Sequence, residues 1–376
     1  MNKIIKVAII GYGVVGRRRR IFIDQHPNMH TVAVCDVRFR DDASMANGNI
    51  ISKDYKDVEL KSMQHPFSGI YEDGVYFYNN YQELLNQQNL DAVFVCVPNY
   101  LAPKVTMEGL KKGLHVFCEK PPGRTVEDII EVRSVEQEFP HLKLKYGFNH
   151  RYHGSIMRAK QIIDDKEFGE LVNFRGVYGK SSVVPSTGEW RSLKKYAGGG
   201  ILLDQGIHML DMFRYFCGDF DEVKSFVSNK HWGHEVEDNV YAILRDKQGR
   251  IAMIHSSATQ WQHNFRLEIT FQKGCIELSG ILSGTKSYGQ EKLIIVSRQE
   301  DSLVGSLSTK EILYLEDNSW NEEIKEFADL ILNDKPVENG SSKDALDVMK
   351  LVYNIYHADP QWQEVCDFIV CDSNVI

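Results

Sequence analysis

The chain has 376 residues, which is long for one domain and favours two. Its composition, 43% hydrophobic and 26% charged, is that of an ordinary globular protein and excludes a disordered chain. The net charge of -8 disfavours nucleic-acid binding, because phosphate contacts need a basic face, and no apolar run reaches the length of a membrane helix.

The first part of the chain alternates apolar segments with helical ones, at 81–88 and 126–138. Its apolar segments show no polar alternation, which is typical of strands covered by helices on both faces. We assign the start to a first strand rather than a signal peptide, because glycines interrupt it. The predicted fold class is α/β, a doubly wound parallel sheet of the Rossmann type. The candidate strands are 6–10, 31–35, 75–78, 92–97, 115–118 and 142–146.

A glycine motif of the form GxGxxG follows the first strand directly. Its first glycine permits a tight turn, the second lets the backbone approach a pyrophosphate, and the third allows a helix to pack closely on the strand. The next helix then offers its free N–H groups to the phosphates. A purely structural turn is disfavoured by the strand–turn–helix context. The motif consists of Gly11, Tyr12, Gly13, Val14, Val15 and Gly16.

An acidic residue, Asp36, ends the second predicted strand about 20 residues after the motif. At that spacing a carboxylate meets the ribose hydroxyls of a dinucleotide, and it repels a 2′-phosphate. We therefore expect NAD as the cofactor and regard NADP as less favoured. Arg38 and Arg40 weaken this preference, because either is able to accept a phosphate.

Four consecutive arginines, residues 17–20, lie in the predicted first helix. Consecutive helical residues point to different sides, so the four side chains do not all face one ligand. We expect one or two to approach the cofactor or a neighbouring acid and the others to be solvated.

A lysine lies at the carboxyl end of the strand 115–118, where doubly wound sheets bind their ligands. This residue, Lys120, follows Glu119 and precedes Pro121, which fixes the exit angle of the chain. From its position alone, a role in moving a substrate proton and a place on the surface beside a turn remain equal alternatives.

A glycine-rich block at 198–211 brings together the other candidate catalytic residues. In a helix, Asp204 and His208 share a face, and Gly206 leaves room for a close approach. Histidine titrates near neutrality and is suited to removing a hydroxyl proton. The alternatives are a satisfied Asp–His pair in the core and a metal site that includes Asp211. The metal site is disfavoured because no second ligand cluster is present, and we expect no metal.

From about residue 147 a helix at 156–165 leads into strands joined by short connections. Such connections indicate hairpins and antiparallel pairing, so this half is predicted to be α+β. Helices at 320–333 and 342–356 close the chain. The expected domains are 1–147 and 148–376, with helix 342–356 packing back on the first. The candidate strands are 171–178, 222–227, 240–244, 251–258, 265–271, 275–278 and 292–297.

These motifs, in this order, resemble the glucose–fructose oxidoreductase / inositol dehydrogenase / rhizopine catabolism (Gfo/Idh/MocA) family over nearly the whole chain. Many members of that family carry histidine where this chain has Arg19 and Ala102, so the resemblance leaves the substrate open. The segments that support the resemblance are 11–16, Asp36, 97–99, 119–121, 147–151, 190–191, 198–211, 236–239 and the C-terminal helix with Phe327.

The resemblance implies roles for individual residues. Lys120 and His208 would form the acid–base pair, and Asp204 would orient them and bind substrate. Arg151, Trp190 and Arg191 would contact either the cofactor or the substrate side. The second domain would carry a large, mostly antiparallel open sheet that forms dimers or tetramers. The cofactor would lie against the glycine motif and Asp36, and against Val97, Pro98, Asn99, Glu119 and Lys120.

The expected function is therefore that of an NAD-dependent oxidoreductase acting on a secondary hydroxyl of a sugar, nucleotide sugar or inositol-type polyol. One alternative is a redox-neutral glycoside hydrolase of the same fold that uses NAD. The other is a non-catalytic NAD-binding sensor, which the intact set of Lys120, Asp204 and His208 disfavours. Seven cysteines without a CxxC pair indicate reduced thiols and a cytoplasmic protein.

Overall fold

The computed structural model describes residues 3–39, 74–181, 190–283, 286–298 and 306–363. Arg40, Cys366, Cys371 and most of the long segment between the second and third strands lie outside these ranges. Within the described part, no helix combines the length and the apolar character needed to cross a membrane.

The chain begins with alternating strands and helices and continues with a strand-rich half. The first elements are β1 (Ile5–Ile10), α1 (Val14–Gln25), β2 (Met29–Cys35), β3 (Tyr76–Tyr78), α2 (Tyr81–Gln87), β4 (Ala92–Val95), α3 (Ala102–Lys111), β5 (His115–Glu119), α4 (Val126–Glu138) and β6 (Leu144–Gly147). The others are α5 (Gly154–Asp164), β7 (Leu171–Gly179), α6 (Lys194–Ala197), α7 (Ile207–Cys217), β8 (Glu222–Ser228), β9 (Asn239–Arg245), β10 (Ile251–Ser257), β11 (Asn264–Phe271), β12 (Gly274–Ser279), β13 (Glu291–Arg298), β14 (Leu307–Tyr314), α8 (Ser319–Leu332) and α9 (Ser342–His357).

The first six strands form one parallel sheet in the order β3-β2-β1-β4-β5-β6. This is the strand order of a Rossmann fold, and the prediction of a doubly wound sheet is confirmed. The order reverses between β1 and β4, so a crevice opens at their carboxyl ends. Helix α3 was not predicted, because Pro103 near its start and Gly109 near its end obscure the helical pattern.

Two compact units divide the chain: the first comprises 1–123, 127–147 and 320–342, and the second comprises 124–126, 148–319 and 343–376. The segment 320–342 thus returns to the first unit from the far end of the sequence. The reason is the apolar face of α8, since Phe327 packs edge-on against Phe94 and Phe117 in the core of the parallel sheet. Helix α9 belongs to the second unit, where the Tyr356 hydroxyl donates to Glu237.

The second unit contains an eight-stranded sheet in the order β14-β13-β12-β11-β7-β10-β9-β8. All neighbouring strands pair antiparallel except β7 and β10, which are parallel. Strand β14 was not predicted because its residues are mostly exposed and show no apolar alternation. The predicted mostly antiparallel sheet is thus confirmed, with one further edge strand.

One face of this sheet is covered by helices, since α7 packs on β7 and β10 and α5 packs on β12 and β13. Strand β9 shows the resulting alternation, with every second side chain buried. The opposite face exposes apolar side chains on three neighbouring strands: Phe226, Tyr241, Ile243 and Ile251.

Candidate active site

The turn between β1 and α1 places three glycines where a dinucleotide requires them. Gly11 has a φ of +91°, and a Cβ there would lie 2.3 Å from the Cys96 carbonyl oxygen. A Cβ on Gly16 would lie 2.1 Å from the Gly11 carbonyl oxygen, so α1 closes tightly on the turn. At Gly13, by contrast, the nearest described atom is Nη2 of Arg38 at 3.9 Å. The backbone there is open to a pyrophosphate, and these residues fit a dinucleotide at the N-terminus of α1.

Asp36 follows β2 and is nearly buried. Its Oδ2 atom accepts a hydrogen bond from the Tyr12 amide at 3.0 Å, which ties it to the glycine turn. Arg38 donates to both carboxylate oxygens, at 2.6 Å and 2.5 Å. Burial alone would raise the pKa of Asp36, but these hydrogen bonds and the Arg38 charge hold the pKa below its ordinary value. The carboxylate is therefore ionised and partly neutralised by an arginine that is itself half-exposed.

The expected nicotinamide-side residues lie at the carboxyl ends of two adjacent strands. Val97, Pro98 and Asn99 follow β4, and the Pro98 carbonyl accepts the first hydrogen bond of α3 from Ala102. Lys120 follows β5 and is half-buried. These ends border the crevice of the parallel sheet, where ligands of such sheets bind.

The side chain of Glu119, by contrast, is bound by Arg19, with 2.5 Å between Oε1 and Nε. Arg19 is completely buried, also pairs with Glu323 at 2.6 Å, and lies over the rings of Phe117 and Trp320. We therefore do not propose Glu119 as a direct cofactor contact. Two of the four consecutive arginines pair with neighbouring acids, as expected from the sequence: Arg19 with Glu119 and Glu323, and Arg20 with Asp24.

In the second unit, Asp204 lies in a π-helical turn, Leu202–Gly206, that leads directly into α7. Such turns insert a residue into a helix and are frequent at functional sites. The α-helical spacing assumed from the sequence therefore does not apply between Asp204 and His208. Gly206 does permit a close approach, and the approaching group is Ser256 of β10, whose Oγ would lie 2.7 Å from a Cβ at this position.

The start of this turn is held by a buried carboxylate. Glu237 accepts hydrogen bonds from the amides of Gly200 and Leu202, at 2.6 Å and 2.9 Å, and from the Tyr356 hydroxyl at 2.7 Å. Gly200 is required here, because a Cβ would lie 2.0 Å from the Glu237 carbonyl oxygen. The 236–239 segment thus positions the helix that carries Asp204 and His208.

His208 is buried, and its ring stacks on the ring of His150 with 3.7 Å between centroids and 14° between planes. Asp204 is partly exposed, accepts a hydrogen bond from Gln205 and lies 3.9 Å from the Lys180 ammonium. This arrangement combines an imidazole, a carboxylate and an ammonium group, which suits binding and deprotonating a hydroxyl.

Two tyrosines complete this cluster. The rings of Tyr178 and Tyr288 lie 5.4 Å apart, and burial, together with the Asp204 charge, raises the pKa of both hydroxyls. They therefore remain protonated at neutral pH. Sequence reasoning missed His150, Tyr178, Lys180 and Tyr288 as site residues, because only strand pairing and helix packing bring them near Asp204 and His208.

Arg151 lies within the protein and is bound by carboxylates. Its Nε and Nη2 atoms donate to the two oxygens of Asp211, at 2.9 Å and 2.6 Å, and Nη1 donates to Asp344 at 3.2 Å. We therefore do not propose Arg151 as a substrate contact. Trp190 and Arg191 lie in a short 3₁₀ turn at the start of the described range 190–283. The Arg191 guanidinium lies 4.3 Å from the centroid of the Trp190 ring.

Two family models match the chain. Residues 5–141 match the model described as an oxidoreductase family with an NAD-binding Rossmann fold. Residues 156–277 match the model described as the GFO/IDH/MocA C-terminal domain.

Related proteins match over different lengths. Levoglucosan dehydrogenase from Pseudarthrobacter phenanthrenivorans is 28% identical over 40% of this chain, and the match spans 39% of that protein. D-glucoside 3-dehydrogenase from Escherichia coli is 26% identical over 67% of this chain and 70% of that protein. An inositol 2-dehydrogenase from Salmonella typhimurium is 24% identical over 74% of this chain and 75% of that protein. The chain thus spans well under half of the first relative and between 70% and 75% of the other two.

Solved structures share the fold at low identity. Levoglucosan dehydrogenase in complex with NADH and L-sorbose superposes with a TM-score of 0.77 and 19% identity, covering 95% of this chain and 97% of the other. A 3-ketoreductase from Actinomadura kijaniata in complex with NADP gives a TM-score of 0.73 and 20% identity, covering 93% and 96%. Neighbours of this fold therefore include complexes with either cofactor.

Proposed function

Because the chain belongs to the Gfo/Idh/MocA family of oxidoreductases with an NAD-binding Rossmann fold, we propose that it transfers hydride between a nicotinamide cofactor and a secondary hydroxyl or ketone of a sugar, nucleotide sugar or inositol-type polyol. The observation that carries this proposal is the glycine turn. It is tight at Gly11 and Gly16 and open at Gly13, as a pyrophosphate requires. The names of the relatives, which point to levoglucosan, a D-glucoside and inositol, support the substrate class.

We assign proton handling to three side chains. His208 removes the proton from the substrate hydroxyl, and Lys120 assists it. Asp204 binds the substrate and orients these groups. The nicotinamide, when bound, supplies the hydride acceptor, while the protein aligns the substrate and moves the proton. Trp190 and Arg191 are proposed as substrate-side contacts.

We propose NAD as the preferred cofactor, bound by the glycine motif, Asp36 and the residues Val97, Pro98, Asn99 and Lys120. The ionised carboxylate of Asp36 supports this preference, because it accepts hydrogen bonds from ribose hydroxyls and repels a 2′-phosphate. Arg38 reduces the discrimination, since it neutralises part of that charge.

The first experiment is NADH formation by the purified protein with NAD and a panel of myo-inositol, levoglucosan, methyl D-glucosides, free sugars and nucleotide sugars. Reduction of NAD with one group of compounds fixes both the reaction and the substrate class. If only the NAD-loaded protein cleaves a chromogenic glycoside, without net NADH, the redox-neutral hydrolase replaces this proposal. NAD binding without turnover of any compound would favour the sensor.

Two substitutions test the assigned roles. Lys120→Ala and His208→Ala are expected to lower turnover by about 100-fold or more, since general acid–base groups contribute on this order. NADH affinity, followed by fluorescence, should stay nearly constant in His208→Ala and fall far less than turnover in Lys120→Ala, because Lys120 also belongs to the proposed cofactor site. Lys111→Ala and His231→Ala remove the same side-chain types at exposed positions and serve as controls. Unchanged turnover in both test variants would exclude the assignment.

The assembly and location of the protein are further proposals. We propose a homodimer or homotetramer formed through the open face of the eight-stranded sheet, where apolar side chains of β8, β9 and β10 are exposed. We propose a cytoplasmic location, which is supported by five free cysteines in the described part of the chain.

A further inference from the structure

The stacked pair of histidines joins two segments that are distant in sequence. His150 lies in a short 3₁₀ turn, Asn149–Tyr152, and His208 lies at the start of α7. Both rings are buried, and their planes are nearly parallel at van der Waals separation. The stacking contact therefore covers one face of the His208 ring. The two ring nitrogens lie in the plane of the ring, so this contact does not cover them.

The ring of His150 is itself fixed by its surroundings. One nitrogen, Nε2, lies 3.1 Å from the Tyr178 hydroxyl, and the other, Nδ1, lies 3.2 Å from the Asn149 side-chain oxygen. The rings of Phe265 and His153 approach at steep angles, with centroids 6.2 Å and 5.5 Å away. A ring held on several sides presents a rigid surface to its stacking partner.

The backbone of this turn is also attached to the helix that carries His208. Arg151, the neighbour of His150, makes its bidentate ion pair with Asp211, which lies on α7 three residues after His208. Both partners are buried, so breaking this pair leaves an uncompensated charge in the interior. The turn and the helix are therefore held in one register, with the two imidazoles face to face.

We propose that His150 is a positioning residue for His208, holding the His208 ring in the orientation from which it accepts the substrate proton. This inference rests on the proposed function, because it assigns a helper to the base named there. An imidazole that rotates freely about its side-chain bonds spends only part of its time in the reactive orientation. Stacking removes that freedom before the substrate binds, and small losses of alignment lower turnover steeply.

Two substitutions at this position separate stacking from hydrogen bonding. His150→Ala removes the stacked ring, and we expect kcat to fall by roughly 10- to 100-fold with KM within about twofold of the wild type. His150→Phe keeps a planar ring but loses the hydrogen bond to Tyr178. It should retain kcat within about threefold of the wild type, rescuing most of the loss.

A direct measurement of the stack needs no substrate. In protein labelled with ¹³C at histidine Cε1, the His208 signal, identified by its loss in His208→Ala, carries the ring-current shift of its partner. That shift should disappear in His150→Ala and persist in His150→Phe, in the protein both alone and saturated with NADH.

His115→Ala is the structural control. It removes a partly buried imidazole that accepts a hydrogen bond from the Lys143 amide at the amino end of β5, so it should lower the thermal midpoint while leaving kcat near the wild-type value. Kinetics are measured with the panel compound that the wild type oxidises fastest.

The outcomes distinguish this inference from the proposed function. Undiminished turnover in His208→Ala, or no turnover of the panel by the wild type, overturns both. Loss of turnover in His208→Ala with wild-type kcat in His150→Ala overturns only the role of His150. Equal loss in His150→Ala and His150→Phe, or an unchanged His208 signal in His150→Ala, shows that stacking does not position the base.

Discussion

At the residue scale, two buried arginines are each paired with carboxylates of their own unit. Arg19 lies between Glu119 and Glu323, and Arg151 lies between Asp211 and Asp344. Removing one partner from such a group leaves a buried charge, so these side chains fix the positions of the segments that carry them. Asp36 and Arg38 differ, because this pair lies beside the glycine turn and its arginine reaches solvent.

The Asp36–Arg38 pair leads to a prediction about cofactor selectivity. Arg38→Ala leaves the Asp36 carboxylate without its neutralising partner, so repulsion of a 2′-phosphate increases. We expect the affinity for NADPH relative to NADH to fall by about tenfold, which corresponds to the loss of one charge-assisted hydrogen bond. Fluorescence titration of the purified variant with each cofactor measures this ratio.

Lys112→Ala is the control for this measurement, since it removes one positive charge at an exposed site of the same unit. It should leave the ratio unchanged. A ratio that also stays constant in Arg38→Ala would show that Arg38 does not influence selectivity.

At the element scale, α1 and α8 are joined by an ion pair between Arg19 and Glu323, both completely buried. Helix α8 comes from the far end of the sequence, and its apolar face completes the core of the parallel sheet. Burial raises the pKa of Glu323 to about 7, despite the opposing charges of Arg19 and Lys145. The stability of this helix contact therefore depends on pH near neutrality.

The sign of that dependence is fixed by linkage. The pKa of Glu323 is higher in the folded protein than in the unfolded chain, so the folded protein binds the carboxyl proton more tightly. The stabilisation that this proton binding gives to the folded state is lost as the pH rises from about 4.5 through about 7. Glu323→Gln has no such proton to lose. We expect the thermal midpoint of the wild type, relative to this variant, to fall between pH 5 and pH 8, by an amount equivalent to roughly 2 kcal/mol.

Scanning calorimetry across that pH range measures the difference. Glu322→Gln, which removes a solvent-exposed carboxyl of the same helix, serves as control and should give a difference that varies far less. A constant difference for Glu323→Gln would show that Glu323 does not titrate in this range.

At the scale of the whole molecule, the open face of the eight-stranded sheet is the feature that bears on assembly. Strands β8, β9 and β10 are neighbours, and their register places Phe226 opposite Tyr241 and Lys224 opposite Ile243. Phe226 is 80% exposed and Ile243 is 53% exposed. Contiguous apolar side chains on a regular sheet face are typical of surfaces that pair with a second copy.

We expect Phe226→Glu to convert the oligomer to a monomer in light scattering coupled to size exclusion, because it places a charge opposite Tyr241 within the apolar patch. Ile130→Glu, at a half-exposed apolar side chain of α4, is the control and should keep the wild-type mass. A monomeric wild type, or an unchanged mass in Phe226→Glu, would contradict assembly through this face.

The sequence by itself determined the α/β class of the first unit, the glycine turn and most strands of both sheets. These features are local: apolar runs predict buried strands, and the spacing of Gly11, Gly13 and Gly16 specifies the turn. Edge strand β14 was missed because an exposed strand carries no apolar pattern. The α-helical spacing predicted for Asp204 and His208 was wrong, since Asp204 lies in a π-turn whose start is held by the carboxylate of Glu237, more than 30 residues away in sequence.

Only the tertiary structure decided which polar groups are engaged and which distant segments meet. Arg151 and His150 are adjacent in sequence, yet Arg151 pairs with Asp211, whereas the ring of His150 stacks on the ring of His208. The packing of α8 on the first sheet was likewise not predictable from the sequence. An amphipathic pattern indicates that a helix buries one face, but it does not indicate which hydrophobic core that face contacts. Side-chain partners separated by 60 or more residues are chosen by the fold, because chain reversal and sheet pairing, rather than local spacing, set the distances between them.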